Sequence, residues 1–329
     1  MEKPRVYITR RISPVGLDLV LANCNAAIWE KDLPIPREEL LQQVKGIAGL
    51  LSMLSDRIDG AVMDAAGPGL KVISTYAVGV DNIDLAEATR RGIPVGHTPD
   101  VLTDATADFA FALLMAAARR VVEADRYVRA GNWKIWGPST LLGHEVHGAT
   151  LGIVGFGRIG QAVARRAGGF GMRVLYHDDQ AGSRPIPADL HAQAVDLEPL
   201  LHESDFVSLH VPLTDQTRKM FNAQMFAKMK PGAILVNTSR GPVVDQTALY
   251  DALSSGGLAA AGIDVYDPEP LPMDSPLMTL ENLVIAPHIA SAGKHTREQM
   301  AVLAAENLLA GLCGEKLPHC ANPQVYQKG

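Results

Sequence analysis

Short, almost wholly apolar runs alternate with helical patterns through the first hundred residues. Arg5–Thr9, Ala26–Trp29, Ala48–Leu51, Lys71–Tyr76 and Pro94–Gly96 predict strands. Between them, Pro14–Leu21, Pro36–Val44, Asp59–Ala66 and Asp84–Arg91 predict helices, with Pro36 at a first turn and Gly92 just past a last one. Strands and helices alternating at this pitch predict βαβ units, and hence a parallel sheet covered on both faces. The pattern then changes. Thr103–Arg129 predicts one long Ala-rich helix ending at Ala130-Gly131-Asn132, followed by a loop with Trp133 and Trp136. From Thr150 the alternation resumes. It predicts strands Leu151–Val154, Arg173–Tyr176, Phe206–His210, Ile234–Asn237, Gly262–Val265 and Leu283–Ile285, a helix Arg158–Phe170, and a closing helix Thr296–Ala310. The expected class is α/β with two parallel sheets.

Composition narrows what such a protein does. The chain has 329 residues, enough for two domains, with 47% hydrophobic and 20% charged residues, which excludes a disordered or fibrous chain. A net charge of -6 and 5% aromatic residues argue against binding nucleic acid, which needs a basic footprint and stacking platforms. No run approaches the roughly 18 apolar residues of a membrane span. The first residues read as a strand with no apolar leader. Three cysteines without a Cys-x-x-Cys spacing suit a reducing cytosol.

Leu151-Gly152-Ile153-Val154-Gly155-Phe156-Gly157-Arg158-Ile159-Gly160 runs from a buried strand through Gly-x-Gly-x-x-Gly into a helix. Gly155 allows the tight turn, Gly157 lets backbone approach a pyrophosphate, and Gly160 lets helix and strand pack closely. The helix start, with Ile159 in its first turn, offers free N–H groups to phosphates, and Arg158 adds a charge. The same glycines alone often mark only a turn. Here an acid, Asp178, ends the next strand at the spacing that suits ribose hydroxyls. A carboxylate there repels a 2′-phosphate, so NAD(H) is expected over NADP(H). Asp179 doubles the negative charge, and Arg184 is the only nearby cation expected.

Three more groups fall where strands of this second half end: Arg240 in Asn237-Thr238-Ser239-Arg240-Gly241, Glu269 in Asp267-Pro268-Glu269-Pro270, and His288 in Pro287-His288-Ile289-Ala290-Ser291. Ligands of open α/β sheets bind at the carboxyl ends of strands, so the three could converge. Each alone reads more simply as a surface charge, a loop acid and a core histidine. Their joint occurrence with the glycine loop is what points to chemistry. His144-Glu145-Val146-His147 is one residue short of a zinc helix, and no metal is expected.

With Tyr76-Ala77-Val78-Gly79-Val80-Asp81-Asn82-Ile83-Asp84 and Thr98-Pro99-Asp100-Val101-Leu102-Thr103-Asp104-Ala105-Thr106-Ala107-Asp108 added, almost the whole chain resembles the D-isomer-specific 2-hydroxyacid dehydrogenases, and among them the glyoxylate/hydroxypyruvate reductases. The resemblance implies two doubly wound parallel-sheet domains. A flavodoxin-like substrate domain would span 1–97 and 287–329, and a Rossmann cofactor domain 98–286, with His288 near the hinge. Arg240 would bind the substrate carboxylate, His288 would be the general acid, and Glu269 would hold His288 and favour its cationic form. The N–H groups of Val78 and Gly79 would also grip the carboxylate. Ser291 would add a polar contact, and Met53 and Leu54 would wall the substrate's C3 group. On the cofactor, Thr106 would lie near the nicotinamide and Pro212 near the adenine. Thr238, Arg240 and His288 would run along it, and Asp264 would accept from the carboxamide. Ala290 stands where the family commonly has Gly.

The implied reaction is reduction of glyoxylate or hydroxypyruvate to the D-2-hydroxy acid by NADH. Reduction of 2-ketogluconate, and a non-catalytic NAD-sensing corepressor-like role, are the alternatives. A homodimer through the Thr103–Arg129 helix is expected, with Trp133 or Trp136 candidates to reach the partner's site.

Overall fold

The computed structural model describes residues 2–179, 186–187 and 190–327; Arg184 lies outside them. The chain divides into two compact units, Met1–Leu102 with Ala292–Gly329, and Thr103–Ser291. Both boundaries fall five residues beyond those the resemblance implied. His288 and Ser291 therefore share a unit with Arg240 and Glu269.

The first unit alternates β1 (Arg5–Ile8), α1 (Pro14–Asn23), β2 (Asn25–Ile28), α2 (Arg37–Gln43), β3 (Gly49–Ser52), α3 (Gly60–Ala66), β4 (Val72–Thr75), α4 (Leu85–Arg90) and β5 (Val95–Gly96). All strands are parallel, in the order β2-β1-β3-β4-β5, the flavodoxin arrangement. Every residue of β3 and β4 is buried, because helices cover both faces. Asp59 and Asp84 cap α3 and α4 by accepting from the N–H groups of Val62 and Glu87. The C-terminal helix Lys294–Leu312 returns to this sheet and packs on α1, where Gly16 lies so close to Ala301 that a Cβ would sit 2.3 Å from its carbonyl oxygen. Beyond it, the tail runs along β5. Ala321 N–H donates to Val95 O, and the buried Asn322 side chain accepts from Val95 N–H.

The second unit begins with α5 (Thr103–Ala118) and α6 (Val121–Arg129). It continues with β6 (Thr150–Val154), α7 (Arg158–Gly168), β7 (Arg173–His177), β8 (Ala192–Ala194), α8 (Leu197–Glu203), β9 (Phe206–Leu209), α9 (Ala223–Lys228), β10 (Ala233–Asn237), α10 (Gln246–Ser254), β11 (Leu258–Ile263) and β12 (Leu283–Ile285). Its parallel sheet runs β12-β11-β10-β9-β6-β7-β8, the Rossmann order with one further strand. Alternate residues of β10 feed two cores. Ile234 and Val236 join Leu113, Leu114 and Val163 on one side, and Leu235 joins Leu200, Phe226 and Leu249 on the other. Both faces are thus apolar, and the strand reads as an unbroken hydrophobic run.

The expected single helix 103–129 is two helices. The Ala118 carbonyl accepts from His144 N–H at 2.8 Å instead of continuing the helical ladder, and Arg120 adopts a left-handed conformation with φ 52°. The Arg120 guanidinium then pairs with Glu123 and reaches Leu142 O. A distant loop, invisible to local periodicity, breaks the helix. No helix among the described residues is long and apolar enough to cross a membrane.

Candidate active site

Parallel strands end on one edge of their sheet, with neighbours about 4.8 Å apart. Read across the second sheet from β7 to β12, the segments leaving those ends carry Asp178, the 155–160 loop, His210 to Pro212, Thr238 to Gly241, Asp264 to Glu269, and Ala286 to Ser291. The candidates of this unit, except Thr106 in the first turns of α5, therefore form a single row.

The glycine loop occupies the gap between β6 and β9, where the strand order reverses. Gly155 takes φ 91°, and a Cβ on it would lie 2.7 Å from the His210–Val211 peptide. A Cβ on Gly160 would lie 2.3 Å from the Gly155 carbonyl oxygen. Gly157 caps α7, which puts Arg158 and Ile159 in its first turn. Asp178 is tied to this loop, accepting from Phe156 N–H at 2.7 Å, and the Phe156 ring stacks on Tyr176. Pro212, just after β9, is exposed, and Thr106 is buried. Thr238 is buried too, and its Oγ1 has no partner among the described residues. A glycine cradle at a helix start and an orphaned hydroxyl further along the row fit a bound dinucleotide. His210, which the sequence reading passed over, sits at the switch point. Burial holds its imidazole down at about 4, so it is neutral there, with Nε2 at 2.8 Å from Ser208 Oγ.

Arg240 leaves β10 on a turn shaped by Asn237. That side chain accepts from the Ser239 N–H and hydroxyl and donates to the Arg240 carbonyl. Asn237 is 1% exposed, and nothing but its place before Thr-Ser hinted at this Asx-type turn. Gly241 follows because no side chain fits: a Cβ would lie 1.9 Å from the Tyr266 carbonyl oxygen. Tyr266 is a hub. Its N–H donates to Glu269 Oε1 at 2.8 Å, and its hydroxyl bonds the Ala286 backbone just before Pro287.

His288 and Glu269 meet. His288 Nδ1 lies 2.8 Å from Glu269 Oε2, with roughly a quarter of each side chain exposed. The imidazole keeps Nε2 for another partner. His288 has φ 55°, a left-handed conformation uncommon outside glycine. Asp264 holds this turn: it is 0% exposed, its Oδ1 accepts from Ile289 N–H at 2.8 Å and its Oδ2 from Ala290 N–H at 2.7 Å. Burial pushes the Asp264 carboxyl up, and the two amides pull against that. Sequence reasoning assigned Asp264 to a cofactor carboxamide and missed this latch. Each oxygen keeps a second lone pair. Ala290 is buried without a positive φ, so its methyl is accommodated. Ser291 follows, half-buried.

In the first unit, Met53 and Leu54 follow β3. Asp56 accepts from Met53 N–H and from the Thr9 hydroxyl, and Asn82 donates to the carbonyls of Met53 and Asp56. Val78 and Gly79 lie on the half-buried loop after β4. Among the described residues no three His, Cys, Asp or Glu side chains are grouped to hold a metal ion.

This arrangement has relatives. Residues 111–290 match the model of the D-isomer specific 2-hydroxyacid dehydrogenase NAD binding domain. Over 326 residues the chain is 55% identical to the glyoxylate reductase of Korarchaeum cryptofilum, covering 99% of this chain and 98% of that protein. The chain belongs to the D-isomer-specific 2-hydroxyacid dehydrogenase family. The dehydrogenase is also 51% identical to the glyoxylate reductase of Thermococcus kodakarensis, over 99% of this chain and 98% of that one. A crystal structure of a Thermus thermophilus protein superposes with a TM-score of 0.90 at 52% identity, covering 96% of this chain and 99% of that one. An NADPH-dependent glyoxylate/hydroxypyruvate reductase from Sinorhizobium meliloti, solved with NADP and malonate, gives 0.84 at 30% identity, covering 98% of each chain. The dehydrogenase is thus an oxidoreductase with an NAD(P)-binding domain.

Proposed function

We propose that the dehydrogenase reduces glyoxylate or hydroxypyruvate to the corresponding D-2-hydroxy acid, with NADH preferred. The observation that carries the reading is the Glu269–His288 pair, which stands in one row with Arg240 and the glycine loop. Bound reduced nicotinamide supplies the hydride. Arg240 binds the substrate carboxylate through its planar fork and draws electron density from the adjacent carbonyl. His288 delivers a proton from Nε2 to the carbonyl oxygen as C2 receives the hydride, so charge is balanced in one step. Glu269 accepts from Nδ1, which fixes the ring's orientation. In the oxidative direction His288 takes the proton back. Met53, Leu54, Val78, Gly79 and Ser291 are assigned to substrate by resemblance, as Thr106, Gly157, Arg158, Ile159, Pro212 and Thr238 are to cofactor.

The test is loss of reduced-nicotinamide absorbance with glyoxylate, hydroxypyruvate and 2-ketogluconate, alongside aldehydes that lack a carboxylate. Turnover of the small keto acids alone is expected. Tight NADH binding with no turnover of any of them would favour a sensing role.

The preference for NADH rests on Asp178. Its carboxylate is anchored to the glycine loop through Phe156, and a 2′-phosphate would meet its charge. Asp178→Ala is expected to lower the NADH-to-NADPH ratio of kcat/KM by roughly tenfold, equivalent to about 1.4 kcal/mol. An unchanged ratio would overturn the assignment.

A homodimer formed through α5 and α6 is part of the same proposal. Val121, Val128, Trp133, Ile135, Trp136 and Leu142 are exposed apolar residues on and after α6, and a partner would cover them. Three free thiols suit a reducing cytosol.

A further inference from the structure

We propose that His97 is a positioning residue for the substrate carboxylate, acting by fixing the direction of the Gly79 N–H. The inference rests on the 2-keto acid reading above and adds a residue to it.

His97 Nδ1 lies 2.9 Å from the Val78 carbonyl oxygen. A carbonyl oxygen only accepts, so Nδ1 is the protonated nitrogen and donates. The Val78 carbonyl and the Gly79 N–H belong to one peptide plane. In a trans peptide they point in opposite directions. Holding the oxygen on the His97 side therefore aims the Gly79 N–H away from His97. Among the described residues, neither the Val78 nor the Gly79 N–H is bonded within its own unit. Two adjacent backbone donors suit an anion.

The pin is needed because the next residue is glycine. Glycine populates positive and negative φ about equally, so the peptide before it rotates at little cost. Unpinned, the 78–79 plane could turn its carbonyl oxygen toward the place where the carboxylate binds, replacing attraction with repulsion.

His97 itself is firmly mounted. Its N–H donates to His319 O at 3.1 Å, and its carbonyl accepts from Asn307 Nδ2 at 2.9 Å. Asn307 is 0% exposed and packs against Gly96 so closely that a Cβ there would lie 2.5 Å from the Asn307 Cβ. Next in sequence, Thr98 N–H donates to Ala77 O at 2.9 Å, so Ala77 and Val78 are both tied to the segment that follows β5. The C-terminal tail thus holds β5, β5 holds His97, and His97 holds the substrate loop.

The experiment compares His97→Phe with His97→Asn in steady-state kinetics. Phe keeps the ring and removes the donor, whereas Asn keeps an N–H donor at the same position along the side chain. His97→Phe is expected to raise KM for glyoxylate roughly 10- to 100-fold, the loss of a charge-assisted hydrogen bond, with kcat and KM for NADH changed by less than about threefold. KM for hydroxypyruvate should rise in the same proportion, since the carboxylate is shared. His97→Asn should restore most of the affinity. If Phe does not fold, His97→Ala carries the same expectation. A donor-less variant with KM for glyoxylate within about twofold of wild type, or a loss falling on kcat alone, would overturn the proposal. Failure of the 2-keto acid reading is distinct, because wild type itself would then turn over neither substrate.

Discussion

His288→Ala is expected to lower kcat for glyoxylate reduction by roughly 10²- to 10⁴-fold, the usual worth of a positioned general acid. NADH affinity, followed by fluorescence titration, should change by less than about threefold, because the glycine loop and Asp178 lie on other strands of the row. The expectation follows from the pairing. Glu269 is oriented by Tyr266 N–H through one oxygen and takes His288 Nδ1 with the other, which leaves Nε2 as the nitrogen able to give a proton. Removing the imidazole takes away the proton donor and leaves Glu269 on its Tyr266 anchor. Turnover close to wild type would remove the acid assignment.

The second large effect is expected at Asp264, which acts on His288 through the backbone N–H groups of Ile289 and Ala290. Asp264→Asn should lower kcat about 100-fold, the penalty of misplacing a catalytic group by about 1 Å. Two amide N–H groups point at two carboxylate oxygens, and Asn offers one acceptor and one donor. Either Ile289 or Ala290 loses its partner, and the left-handed turn at His288 loses half its support. Stability should change little. The substitution removes a buried charge but strands one amide, and these oppose each other. Loss of activity with the melting temperature within a few degrees of wild type is therefore the expected signature.

The sign of the acid response follows from the same group. Burial raises the Asp264 carboxyl above the ordinary aspartate range. An acid raised in the folded state subtracts from stability when ionised, and protonation removes that deficit as pH falls through the raised value. Protonation also puts a hydrogen where an amide must donate. Activity should therefore fall on acidification before an ordinary aspartate would protonate, while the fold persists.

Much of this site is legible in the chain because its signals are local. Gly155 to Gly160 must turn, approach and pack within six residues. Arg240, Glu269 and His288 each follow a strand marked by its own apolar run. What escaped depends on distant partners. The break at Arg120 comes from His144 taking the Ala118 carbonyl, and no periodicity within 103–129 records it. Strand β11 begins at Leu258, earlier than the expected Gly262, because Leu-Ala-Ala-Ala-Gly has little strand propensity and is held by neighbours on both sides. Asn237, Tyr266 and the Asp264 latch act through backbone groups of remote loops, and their residue types alone announce nothing. His97 is of the same kind.

The most direct measurement is single-turnover transfer of label from NADH deuterated at the transferable position of the nicotinamide. With purified protein and excess glyoxylate, one deuterium should appear on C2 of glycolate, read by mass spectrometry. It should come from one face of the ring only, and His288→Ala should slow its appearance. Glycolate formed without the label, or label retained in a cofactor that stays bound beside glyoxylate, would contradict hydride delivery to a carbonyl held by Arg240 and protonated by His288.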